Sequence, residues 1–86
     1  MTKKWFVYIA LCSDKTLYTG VTTDVERRII EHNSSCKGAK YTRTRRPVIL
    51  VYSEEAKNRS EASKREYQIK KLKKKEKEVL IDESYL

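Results

Sequence analysis

Long apolar runs are missing from this sequence. No stretch approaches the ~18 apolar residues of a membrane span. The first residues, Met1-Thr2-Lys3-Lys4-Trp5, carry charge but no extended apolar segment of the secretory kind. The expectation is a soluble cytoplasmic protein with no membrane partner. Cysteine is scarce. Cys12 and Cys36 make neither a disulfide framework nor a metal-ligand spacing. There is one histidine, His32, and one proline, Pro47. No internal repeat, linker or low-complexity tract divides the 86 residues. A single domain over 1–86 is expected, with a structured core of about 4–80 and a short C-terminal tail from Asp82.

What is abundant is positive charge. The net charge is +8, and 37% of residues are charged against 38% hydrophobic. Six tyrosines, a tryptophan and a phenylalanine accompany several apolar runs, which argues against disorder. A compact basic domain suggests a polyanionic partner, most often nucleic acid. Thirteen of the twenty Lys and Arg residues lie within Lys37–Arg46 and Lys64–Lys77.

Trp5 to Cys12 is an apolar, β-branched and aromatic run that reads as a strand. Trp5, Val7, Ile9 and Leu11 fall on one face; Phe6, Tyr8, Ala10 and Cys12 fall on the other. Apolar residues on both faces predict a central strand covered on each side. A turn at Ser13-Asp14-Lys15 leads to a second strand, Thr16 to Val21, and so to an antiparallel hairpin. Gly20 near its end permits a sharp bend or the close approach of a ligand. Thr23-Asp24-Val25-Glu26 fits a capping box, with Thr23 as N-cap of a helix that fades near Asn33-Ser34-Ser35. Val25 and Ile29 form its apolar stripe, with Arg28 and His32 four apart beside it. Cys36 to Pro47 reads as a loop in which Lys37, Lys40, Arg43, Arg45 and Arg46 surround Tyr41. That composition suits phosphate contact and base stacking, and equally a solvated loop. Val48 to Tyr52 is a third strand. Ser60 can cap a last helix whose stripe is Ala62, Ile69 and Leu72. Glu66 falls inside that stripe, where an acid is costly unless paired or bound to a cation, although Arg65 has nearly the same angular claim. The lysine run Lys70–Lys77 reads as a solvated helix face.

In this order the motifs resemble the GIY-YIG nuclease superfamily, in its small single-domain bacterial branch. Phe6-Val7-Tyr8 stands in the place of the first motif and Tyr18-Thr19-Gly20 in that of the second. Asp24 to Asn33 is similar to the family's arginine helix, Arg65 to Leu72 to its glutamate helix, and Gly38-Ala39-Lys40-Tyr41-Thr42-Arg43 to a loop signature of the small branch. The resemblance spans roughly Lys4 to Leu80. It departs at Phe6, Val7 and Thr19, at Glu78, where related nucleases often carry asparagine, and at Val21, where some carry lysine.

The resemblance implies an α+β fold, β-β-α-β-α, with a three-stranded antiparallel sheet flanked by helices. It implies a metal-dependent endonuclease acting on DNA rather than RNA, structure-selective and at work in repair or recombination. Tyr8, Tyr18, Arg28, His32 and Glu66 would form the catalytic set. Glu66 would hold one divalent cation, Mg²⁺ or Mn²⁺, through a hard carboxylate oxygen. Tyr18 would activate water, with Tyr8 as its positioning partner. Arg28 would clamp the scissile phosphate, and His32 would orient a tyrosine or relay a proton. Each residue taken singly also suits a structural role. A strand tyrosine can simply pack, Arg28 can pair with Glu31 or Glu66, and Glu66 can sit in a salt bridge. The second reading is a non-catalytic nucleic-acid-binding module on the same fold. The third is a scaffold that meets a protein partner through Trp5, Phe6 and Tyr85. A domain this small leaves room for a protein partner or a homodimer.

Overall fold

The computed structural model describes residues 4–34 and 37–83. Ser35, Cys36 and the expected tail residues 84–86, Tyr85 among them, lie outside the described residues. Strand β1, Trp5–Leu11, is the centre of a three-stranded sheet of order β2-β1-β3. Strand β2 is Leu17–Thr22 and β3 is Ile49–Ala56; both run antiparallel to β1. Central placement explains the apolar character of both faces of β1. Val7 and Ile9 are fully buried on one side with Ala62 and Ile69. Tyr8, Ala10 and Cys12 are buried on the other with Val48, Val25 and Ile29.

Those two clusters place the helices. Helix α1, Val25–Ser34, covers the Tyr8 face; α3, Arg59–Lys71, and α4, Lys74–Glu83, cover the Val7 face. The expected β-β-α-β-α order is present, with two helices added to it. The first, α2, is a single turn, Lys40–Arg43, inside the expected loop. The second, α4, begins after Leu72, whose extended backbone (φ −68°, ψ 145°) ends α3 inside the lysine run. Helix α4 then takes in Asp82 and Glu83, which the sequence reading gave to the tail.

Three local expectations need correcting. Asp24, not Thr23, caps α1: its Oδ1 accepts from the Arg27 amide at 3.1 Å, and Thr22 Oγ1 accepts from the Asp24 amide. A carboxylate one residue later outcompetes the hydroxyl at the positive helix end. Asn58, not Ser60, caps α3, its Oδ1 accepting from the Glu61 amide at 2.9 Å. Strand β3 continues past Tyr52 to Ala56 as an edge strand. Its outer end is polar because Glu54 reaches Arg65 (2.8 Å) and Glu55 reaches Lys4 (3.6 Å). The β1–β3 register also shifts between Ile9 and Ala10, which leaves Val51 as an extra residue.

Candidate active site

The hairpin register sets Tyr8 opposite Gly20 and Ala10 opposite Tyr18. Both tyrosine side chains therefore rise from neighbouring strands on the α1 face. Gly20 does not have a positive φ. Its function is space: a Cβ built there would stand 2.6 Å from Tyr8 Oη and 2.8 Å from Cζ. The close approach expected at Gly20 is made by the Tyr8 ring of this chain.

From α1, His32 reaches the same point. It is fully buried, with Nε2 2.7 Å from the Tyr8 hydroxyl and Nδ1 2.9 Å from Thr42 Oγ1. The Tyr18 ring meets the imidazole edge-on, with centroids 5.2 Å apart. One turn earlier on α1, the Arg28 guanidinium lies beside the Tyr8 hydroxyl and acts on it electrostatically. Arg28 also donates to Glu31 (3.0 Å) and to the Lys37 carbonyl (2.7 Å). Its pairing with Glu31 and its proximity to Tyr8 hold together. Gly38 lets the basic loop lie against α1, since a Cβ there would meet the Glu31 carbonyl oxygen at 2.7 Å.

Glu66 approaches from α3. It is half-buried rather than core-facing, with 24% of its side chain exposed and Lys70 3.3 Å away. Ala62 and Ile69 fill the core positions around it, and Arg65 takes the other flank with Glu54. The Glu66 charge reaches Tyr8 as the weakest of several influences. The structure thus brings Tyr8, Tyr18, Arg28 and His32 together from β1, β2 and α1, with the charge of Glu66 on α3 acting on Tyr8 from further off.

Electrostatics separate the members. Burial pushes the Tyr8 phenol well above its usual range, with Tyr18 and then Glu66 adding to the rise and Arg28 opposing it. Burial also pulls His32 down to about 4, helped by the positive charges of Arg28 and Arg46 and opposed by Glu31. Both groups are neutral at pH 7.

The six loop residues divide by what holds them. Lys37, Lys40 and Arg43 are exposed. Tyr41 is 39% exposed, stacked near Tyr18 (5.9 Å, 26°), with the Arg45 guanidinium 3.9 Å over its ring. Arg45 also donates to Asp14 and to the Tyr41 carbonyl, at 2.8 Å each. Arg46 donates to the His32 carbonyl and so closes the end of α1. Trp5 and Phe6 are half-buried, and Trp5 packs on the Val7 core.

Thr42 is the residue that the sequence reading missed. It is fully buried and touches both the imidazole and the Ala39 carbonyl. A threonine in a basic loop carries no signal of burial. Only its place in the loop signature set it apart.

Among the described residues, no group of three His, Cys, Asp or Glu side chains could share a metal ion. A cation held here would have the Glu66 carboxylate as a donor. That fits Mg²⁺, which keeps most of its waters and binds through one or two carboxylates plus substrate phosphate. No helix among the described residues is long and apolar enough to cross a membrane.

Residues 4–79 match the model of the GIY-YIG catalytic domain. The chain is 64% identical over 80 residues to a UPF0213 protein of Desulfotalea psychrophila, covering 93% of this chain and 73% of that one. Two solution NMR structures are similar. A UPF0213 protein of Bacillus halodurans is 47% identical with a TM-score of 0.58, over 92% of this chain and 83% of its own. A protein of E. faecalis is 46% identical with a TM-score of 0.65, over 98% and 88%.

Proposed function

The chain belongs to the GIY-YIG catalytic-domain family, and from that premise we propose that it acts as a single-domain, metal-dependent, structure-selective endonuclease on DNA. The observation that carries the reading is the meeting of His32 with the Tyr8 hydroxyl, with the Tyr18 ring packed beside them and the charges of Arg28 and Glu66 acting on the same tyrosine. Phosphodiester hydrolysis needs an activated water, charge neutralisation at the phosphate and help for the leaving oxygen. A divalent cation on Glu66 supplies Lewis-acid polarisation of the phosphate when bound. Tyr18, the less buried tyrosine, activates the water, since burial makes Tyr8 a poor base. Tyr8 and His32 hold that hydroxyl array in place. Arg28 clamps the phosphate through the forked guanidinium. Lys37, Lys40, Arg43 and Tyr41 lie along the flanking backbone and bases, and Arg45 and Arg46 fix the shape of their loop. A cytoplasmic role in repair or recombination accords with cleavage selected by substrate structure.

The test is cleavage of labelled single-stranded, duplex, flap and branched DNA and RNA, with Mg²⁺, Mn²⁺ or chelator, beside Glu66→Gln. Metal-dependent cutting that the variant loses while still binding DNA is the expected result. Cutting by the variant at the wild-type rate refutes the assignment. A second reading has its own observation: Arg28 is already tied to Glu31 and the Lys37 carbonyl. Binding without scission across the whole panel would identify a nucleic-acid-binding module instead.

A further inference from the structure

The buried contacts behind Tyr8 decide which way its proton points. His32 Nδ1 has two neighbours, Thr42 Oγ1 at 2.9 Å and the Ala39 amide nitrogen at 3.3 Å. A backbone amide can only donate. Its approach therefore requires a lone pair on Nδ1. Thr42 has one hydroxyl proton and two acceptors at 2.9 Å, Nδ1 and the Ala39 carbonyl. That carbonyl already accepts the amides of Thr42 (3.0 Å) and Arg43 (3.3 Å). Whether the Thr42 proton lies on the Ala39 carbonyl or shares the single Nδ1 lone pair with the Ala39 amide, the amide keeps its acceptor only while Nδ1 carries no proton. The opposite tautomer would set the Nδ1 proton against the Ala39 amide proton and leave that amide without its partner.

We infer that the loop turn Ala39–Thr42 locks His32 in the Nε2–H tautomer, so that His32 donates to the Tyr8 oxygen and Tyr8 directs its own O–H into the site. Thr42 is a positioning residue, acting through His32. Tyr8 then offers a hydrogen bond, to a phosphate oxygen or to the Tyr18 oxygen, while its own oxygen accepts from His32 and faces Arg28. This assignment rests on the nuclease reading for its purpose but not for its geometry.

The experiment is ¹⁵N NMR of the uniformly labelled chain at neutral pH without nucleic acid. His32 is the only histidine, so one imidazole is observed. The expected spectrum has a protonated Nε2 and an unprotonated Nδ1. Thr42→Val, nearly isosteric, should keep that tautomer, because the Ala39 amide still donates to Nδ1, but should move the Nδ1 resonance downfield as its lone pair loses the hydroxyl neighbour. Thr42→Ser should restore the wild-type position. In cleavage, Thr42→Val should lower kcat at least tenfold with KM little changed, and Thr42→Ser should recover most of it. An Nδ1-protonated wild-type spectrum overturns the inference, as does a Thr42→Val spectrum identical to wild type. The wild-type spectrum decides the tautomer even if Thr42→Val does not fold. If no substrate is cut but the spectrum is as expected, the nuclease reading fails and the tautomer assignment stands.

Discussion

Gly20→Ala should damage this protein far more than one methyl group suggests. The added Cβ would lie 2.6 Å from Tyr8 Oη, 2.8 Å from Cζ and 3.0 Å from Cε1. Carbon atoms pack comfortably at about 3.5–4.0 Å, so the ring must move by roughly 1 Å. Tyr8 has little freedom to do so, being 1% exposed with its hydroxyl 2.7 Å from His32 Nε2. Overpacking of this kind costs about 1–3 kcal/mol. A buried imidazole nitrogen that loses its partner costs about 1–3 kcal/mol more, though the two losses overlap. Replacing glycine in a strand returns roughly 0.5–1 kcal/mol. The net expectation is a loss of about 2–3 kcal/mol, or a fall in Tm of about 10–20 °C for a domain of this size. Thermal unfolding followed by circular dichroism measures it. Tyr8→Phe combined with Gly20→Ala should deviate from additivity by more than about 0.5 kcal/mol, because the substitutions share one contact. A Tm within about 2 °C of wild type, less than about 0.5 kcal/mol for a domain of this size, would refute the claim that Gly20 exists to seat Tyr8.

Other expectations follow from the same contacts. Among the described residues, Thr19 Oγ1 is buried without a hydrogen-bond partner, so Thr19→Val should raise stability by about 1 kcal/mol in urea unfolding; a loss would mean that the hydroxyl is satisfied in solution. His32 is depressed to about 4 in the folded chain against about 6.5 unfolded. Its contribution is complete above pH 6.5 and is lost as pH falls towards 4, because the unfolded chain takes the proton first. Stability should fall by up to about 1.4 kcal/mol per pH unit across that window, and urea titrations at pH 7 and pH 5 should show the decline in wild type. Removing any one of Lys37, Lys40 or Arg43 should weaken DNA binding similarly across sequences and reduce the slope of log K against log salt by about 1. An unchanged slope would remove that residue from the phosphate contacts.

The parts of this fold that were legible in the sequence are those with a period. The two-faced apolar run of β1 gave the central strand, because alternation assigns each side chain to a face and both faces were apolar. The four-residue spacing of Arg28 and His32 placed them together on α1, and the structure brings both to Tyr8. The wheel could not separate Glu66 from Arg65, and the structure shows why: both sit at the border of the buried stripe, one paired with Lys70 and the other with Glu54. Helix α2 was illegible because four residues do not complete a period that a pattern could reveal. The caps moved by one or two residues because Thr23, Asp24, Asn58 and Ser60 are all good cap residues, and only tertiary geometry chooses among them. Thr42 marks the deeper limit. Its importance lies in a single hydroxyl held 2.9 Å from the His32 imidazole across ten residues of sequence. Nothing in residue type or spacing encodes such a contact. The fold creates it by laying the loop, through Gly38, against the end of α1. The side chains expected to do chemistry could be picked out from their neighbours in the chain, whereas the groups that would orient their protons become visible only once the loop is in place.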